Sequence, residues 1–354
     1  MKSELDLAII GGGIIGVFAA WYARKQHPDW HIGLFEQGLV GSGATFYSAR
    51  LDIPYGHTPL RYQLAQRSRS LFAELRKEMP ELPIKDLPFY GIVQEDNAQL
   101  VLLQLVDNNA RLLPEIIPSL LHDHPLLVLP QHAAVISGAT ASQAVNNELV
   151  NLLAKNFEVT PNSLIIEHTK IVTVTTLEDI FDLQSAGGNY FPAKRVIQAT
   201  GPWMNEILGT GLFASQKTRI KKIVAFHIDK QPLAGDPLFY FFADDAFLMP
   251  KYEAGYWLFS FKCDHWDVVP DINTLSIDEA DIQKARGILT KYFPQLVPLC
   301  SVGRVFCDTY TPDGNPIIER AGDQSKYIIA GAGSGSGFRL APAIAEAALD
   351  YYNQ

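Results

Sequence analysis

The sequence predicts an α/β fold, with a parallel sheet of the dinucleotide-binding kind and a second lobe, on three observations. A strand-like apolar run near the N-terminus enters a glycine-rich turn and then a helix. Strand-like runs ending at glycine turns recur near residues 195 and 327. The chain has 354 residues, more than one ordinary core comfortably supports.

The first element is Leu5 to Ile10, branched enough for a buried strand. It runs into Gly11-Gly12-Gly13-Ile14-Ile15-Gly16 and then into the helix-forming run Val17 to Arg24, which ends before Pro28. Ile32-Gly33-Leu34-Phe35 is a second short strand, closed by Glu36. That order is the context a dinucleotide motif requires. Gly11 permits the tight turn, Gly13 lets the backbone approach a pyrophosphate, and Gly16 allows close helix–strand packing. Free N–H groups at the helix start, at Ile14 and Ile15, face the phosphates, where the helix dipole favours negative charge. Glu36, with Gln37 beside it, lies twenty residues past Gly16. A carboxylate there accepts from ribose hydroxyls and favours FAD or NAD over NADP. A glycine turn with no ligand is the alternative.

Composition narrows the class. Hydrophobic residues make up 47% and charged residues 19%, which is globular. The formal charge of −9, without a basic run, argues against nucleic acid or anionic lipid as partner. Three cysteines suit a reducing compartment, no apolar run is long enough to span a bilayer, and Met1 to Glu4 does not begin a signal peptide. A cytoplasmic location is expected. The nine histidines form no HxxxH or Cys/His ligand pattern, so no metal is expected.

The residues after Glu36 separate FAD from NAD. Gly38 to Thr45 is a second small-residue loop, including Gly43-Ala44-Thr45, which can lie flat against an extended cofactor. Arg195 to Gln198 is a strand leading to Ala199-Thr200-Gly201. Tyr327 to Ala330 is another, leading to Gly331-Ala332-Gly333-Ser334-Gly335-Ser336-Gly337-Phe338-Arg339 and a helix with Pro342 near its first turn. These four segments, in this order, resemble the FAD-dependent amine oxidoreductase superfamily of D-amino acid oxidase, glycine oxidase and sarcosine oxidase. The blocks Thr311 to Ile318 and Gly335 to Pro342 resemble the C-terminal signature of its sarcosine and glycine oxidase branch.

The resemblance implies FAD as cofactor and hydride transfer from an amine-bearing carbon to flavin N5, leaving an imine. It also implies an interleaved architecture. A Rossmann-like FAD domain takes 1–50, 135–210 and 300–354, and an antiparallel-sheet substrate domain takes 51–134 and 211–299. Ile171 is expected against the adenine, with an ordinary sheet residue as the alternative. Gly333, Gly335, Ser336, Gly337 and Phe338 are expected along the flavin. Arg339, where relatives carry lysine or arginine, would stabilise reduced flavin or hold a substrate carboxylate; the alternative is a surface ion pair. Arg50 and Tyr55 lie in a stretch that contributes to relatives' pockets, with His57 read as a loop residue. Lys262 and His265 lie where relatives place residues facing flavin N5. The oxygen-activating lysine of sarcosine oxidases falls near Leu258, which leaves a dehydrogenase with another acceptor open beside dioxygen.

Cys307 sits where sarcosine oxidases attach FAD covalently, but one residue out of spacing. On a strand that shift turns the side chain to the opposite face, so a non-covalent flavin is expected. Asp308 stands at the position, three residues before Thr311, where glycine oxidases carry the arginine that holds substrate carboxylate, and an acid there would favour a cationic group. Tyr240 and Tyr310 are candidate pocket walls or core. The expected partner is a small amine or amino acid. Two other readings remain: a maturation flavoprotein acting on a carrier- or protein-bound amine, and a non-catalytic flavin subunit of a larger amine dehydrogenase.

Overall fold

The structure, a computed structural model, describes residues 4–177, 179–207, 218–322 and 324–353. Met1 to Ser3 and the expected domain boundary at 210/211 lie outside the described residues. Two large sheets organise the chain. In the first, six strands run in the order Ile317–Ala321, Gln324–Gly331, Val196–Gln198, Leu7–Ile10, Ile32–Phe35 and Ser163–Ile166. All neighbours are parallel except the first pair. Leu7–Ile10 is buried throughout because both faces are covered, as a parallel sheet requires. Leu7 and Ile9 meet the helices Ile14–Gln26, Glu148–Glu158 and Gly337–Asp350. Ala8 and Ile10 face the opposite way, into a three-stranded sheet formed by Ile171–Leu177, Ile180–Ser185 and Tyr190–Ala193. Pro342 lies just past the first turn of its helix, which begins at Gly337.

The second sheet has ten strands and is antiparallel but for the pair Leu238–Phe241 and Ile84–Gln94. Its long run is Gly303–Tyr310, Arg219–Ile228, Tyr256–Ser260, Ala246–Lys251, Leu238–Phe241 and Ile84–Gln94. The β-prone stretch 238–249 divides at Asp244-Asp245, where Asp245 takes a positive φ of 44° in the hairpin turn. One face packs on the helix Glu279–Tyr292 through Phe239, Phe241, Phe259 and Tyr292. The other carries Tyr240, Met249 and Leu258 toward the first lobe. The strands Ala133–Ser137, Thr140–Ala144 and Gly303–Tyr310 belong to this sheet. We therefore propose the lobes as 4–50, 145–207 and 311–353 against 51–144 and 218–310. Among the described residues no helix is long and apolar enough to cross a membrane.

Candidate active site

The glycine motif packs as its spacing requires. Gly11 has a φ of +106°, and a Cβ there would run into the carbonyl of Ala199, just past the neighbouring strand Val196–Gln198. A Cβ on Gly16 would collide with the carbonyl of Gly11, so this glycine sets the helix against the strand. Glu36 accepts from the backbone N–H of Gly12 (2.8 Å) and of Gly38 (2.8 Å), which fixes its carboxylate beside the turn. Burial raises its pKa despite those bonds. Thr45 reaches back from the second loop to accept from the N–H of Ile14 at 3.0 Å, which closes the loop over the helix start.

These elements border a narrow cavity of about 90 Å³. Gly11, Glu36, Gln37, Gly43, Thr200 and Ile171 line it, and Ile171 is also buried in the three-stranded sheet. Gly13, Ala44, Thr45, Ala199 and Gly201 are shared with a wider cavity of about 550 Å³. The wide part also takes Ile14, Ile15, and Gly333, Gly335, Ser336, Gly337, Phe338 and Arg339 of the C-terminal loop. Two glycine-bearing bends about 320 residues apart in sequence thus border one continuous space. Gly16, Leu258, His265 and Cys307, all singled out from sequence, line neither part.

Buried guanidiniums line the wide cavity. Arg339 is 7% exposed and Arg61 2% exposed. Both donate to the single hydroxyl of Ser336, Arg339 through Nη2 at 2.5 Å. Arg61 also donates to the carbonyl of Gly314. The Nε of each is buried without a hydrogen-bond partner. Neither makes an ion pair among the described residues, so the surface-pair alternative for Arg339 does not hold. Burial first, and then its neighbour Arg339, pull the Arg61 pKa down to about 10. Arg50, buried and in a positive-φ conformation, donates to the Phe46 carbonyl at 2.6 Å and also keeps an unpartnered Nε. Asp52 lies behind Arg339, near Arg69, and burial lifts its carboxyl to about 6.

The remaining walls come from the second sheet and from the loop between Leu51–Asp52 and the helix Pro59–Glu78. Tyr55 donates to Gln104 at 3.0 Å, with the Arg339 guanidinium 5.9 Å from its ring. Tyr240 donates to Asp245 at 2.7 Å. His57 also lines the space. Phe306, Asp308 and Tyr310 point into it from one strand, so Cys307 and Thr309 point to the other face. Burial holds the Cys307 thiol up at about 12. Asp308 accepts from Thr309 N (2.8 Å) and Gly335 N (3.1 Å), tying the strand to the C-terminal glycine loop. Lys262 is exposed at the rim, and His265 lies outside, 3.5 Å from Asp278. Leu258 is an apolar core side chain.

Arg61, Lys221 and Asp245 line the cavity without having been singled out from sequence. Arg61 carried a signal: it stands in the first turn of a Thr58-capped helix, where the dipole disfavours a cation. Against the expectation of no ligand cluster, Cys263, His265 and Asp281 do come together. The Lys222 ammonium already occupies that acidic corner, 2.7 Å from Asp281 and 2.9 Å from Asp278.

The residues present fit a dinucleotide-linked flavin. Gly11 and Gly16 admit no Cβ and keep the turn tight, a buried carboxylate is held beside that turn, and a second chamber opens beyond. Comparison with known proteins agrees. The family described as FAD dependent oxidoreductase (DAO) matches residues 6–351. Over 97% of its length the chain is 23% identical to glycine oxidase of Bacillus subtilis (strain 168), covering 91% of that protein. It is 20% identical to monomeric sarcosine oxidase of Arthrobacter sp. (strain TE1826), covering 98% of this chain and 92% of that one. The fold matches L-proline dehydrogenase from P. horikoshii with a TM-score of 0.82 at 20% identity, over 100% of this chain and 95% of that one. The chain therefore belongs to the DAO family of FAD-dependent oxidoreductases, an enzyme of the glycine and sarcosine oxidase type with FAD as its cofactor.

Proposed function

We propose that the protein oxidises a small amino acid at its amine-bearing carbon. The observation that carries this reading is the pair of buried guanidiniums, Arg61 and Arg339, on one serine hydroxyl beside the glycine loop. Both line the cavity with no carboxylate in ion-pair contact among the described residues, and a substrate carboxylate would supply that partner. Bound FAD would supply the acceptor for a hydride from that carbon, leaving an imine for water to hydrolyse. Glu36 would hold the ribose, and the bends at Gly11–Gly16 and Gly333–Gly337 would flank the cofactor.

The chain's own residues then orient and desolvate. Arg339 and Arg61 hold the carboxylate, and Tyr55 and Tyr240 close the wall above it. The aromatic lining strips water from the substrate ammonium and favours its neutral, reactive form. Asp308 is engaged by two backbone N–H groups, which supports a loop-positioning role over contact with a cationic head group. A non-covalent flavin is supported by Cys307 lying on the outer face of its strand. Turnover with an acceptor other than dioxygen is favoured by Leu258, which brings no cation to the site.

The test is anaerobic bleaching of the yellow holoprotein by a panel of amines and amino acids, repeated with Arg339→Met. Reduction by amino acids, slowed about 100-fold or more in the variant, is expected from loss of a charge-assisted pair. Equal rates would remove Arg339 from the site. Reduction by amines lacking a carboxylate as readily as by amino acids would refute the paired-guanidinium reading.

A further inference from the structure

The cavity holds more positive charge than one carboxylate answers. Lys221 lines it and is 4% exposed. It stands next to Lys222 in the strand Arg219–Ile228, so the two side chains leave on opposite faces. Lys222 finds Asp278 and Asp281, whereas Lys221 has no carboxylate within ion-pair distance among the described residues. Its ammonium rests over the rings of Tyr310 (4.6 Å) and Trp266 (5.1 Å). Such aromatic faces hold a cation in place but leave its charge uncancelled.

Two carboxylates border the same end, and both are engaged. Asp308, the cross-strand partner of Lys221, uses one oxygen for Thr309 N and the other for Gly335 N. Asp245 accepts from Tyr240. With Arg61 and Arg339 likewise unpaired, three nine-tenths-buried cations line one space, and none has a carboxylate within ion-pair distance among the described residues. Keeping them charged and unpaired is unfavourable, and a second acid on the ligand relieves it.

We propose, resting on the amino acid oxidation reading above, that the substrate is a dicarboxylic amino acid, with one carboxylate on Arg61 and Arg339 and the other on Lys221. Tyr310 neighbours both anchors. Its ring carries Lys221, and its hydroxyl end abuts the loop at Gly335. Lys221 thereby sets specificity by charge at the far end of the substrate, away from the carbon that reacts.

The experiment pairs acids with their amide isosteres on the holoenzyme. Aspartate, glutamate and 2-aminoadipate, in both enantiomers, are compared with asparagine and glutamine for anaerobic flavin reduction. An acid is expected to exceed its amide by about 10- to 100-fold in the apparent second-order rate constant, the worth of one charge-assisted hydrogen bond. Lys221→Met is expected to bring that ratio toward one, and Lys221→Arg to keep it. Retention of bound flavin shows that each variant folds. Should Lys221→Met take up no flavin, titration of the wild-type holoenzyme with succinate and glutarate against acetate and butyrate decides, read by perturbation of the flavin spectrum. Dicarboxylates are expected to bind about 10-fold tighter or better. Amides reduced as fast as acids, or dicarboxylates bound no tighter than monocarboxylates, would overturn the proposal. If no amine of any charge reduces the flavin, the oxidation reading itself fails, while the dicarboxylate titration still judges the Lys221 anchor on its own.

Discussion

Replacing Lys251 by methionine should stabilise the protein, and by an amount that depends on pH. Lys251 ends the strand Ala246–Lys251, is 9% exposed, and donates to the carbonyl of Ala49 at 3.0 Å. Arg50 and Arg304 stand near it, and the acid that acts on it, Glu253, is engaged with Lys85. Burial chiefly, and then those two arginines, bring its pKa down to about 7 from an ordinary 10.5. Between about pH 7 and 10.5 the unfolded chain therefore holds a proton that the folded chain has given up, and stability rises with pH across that window. Below about pH 7 the folded state carries the full penalty, with a ceiling of about 5 kcal/mol at about 1.4 kcal/mol per pH unit. Methionine keeps the aliphatic packing but leaves the Ala49 carbonyl without its donor, which offsets about 1 kcal/mol of the gain. A net gain of roughly 2–4 kcal/mol is expected at about pH 6, shrinking steadily toward pH 10. Urea unfolding of both proteins across that range measures it. Parallel stability curves, or a variant less stable at every pH, would refute the account of Lys251 as a desolvated ammonium.

Three further outcomes are expected from the packing. Gly16→Ala should abolish FAD uptake, since its Cβ meets the Gly11 carbonyl and pushes the helix off the strand; flavin retained at wild-type stoichiometry would contradict this. Gly287→Ala, within the helix Glu279–Tyr292 and with nothing near its missing Cβ, should raise stability by about 0.5–1 kcal/mol on helix propensity, as denaturant midpoints would show. Cys307→Ser should leave flavin content unchanged, and denaturing the wild-type protein should release all its flavin to the supernatant; colour staying with the polypeptide would place the thiol within reach of the ring.

What could be seen in the sequence depended on how locally each feature is encoded. The turn from Gly11 to Gly16 and the strands on either side are written within thirty residues, and the structure forms them there. The C-terminal loop was legible for the same reason, as a strand running into glycines. Arg61 and Lys221 were not. Arg61 belongs to a helix that also carries Arg67, Arg69 and Arg76, and only its place in the first turn distinguishes it from solvent-facing neighbours. Lys221 and Lys222 look alike in sequence, and which one faces the cavity depends on register against Gly303–Tyr310, some eighty residues away. Cys307 shows the converse: alternation along one strand was sufficient to turn it outward from the space that Phe306 and Asp308 border.

The strand Gly303–Tyr310 is paired along its length within the ten-stranded sheet, yet its last residues wall the cofactor chamber and the chain then crosses directly into Ile317–Ala321 of the other sheet. On this side the chamber is therefore walled by a paired strand and not by a free loop: dismantling it means unzipping that strand from Arg219–Ile228. Loss of bound flavin and collapse of the backbone should then be one event, so the dye-like emission of freed FAD would serve as a faithful thermometer of global unfolding, tracking far-ultraviolet circular dichroism degree for degree.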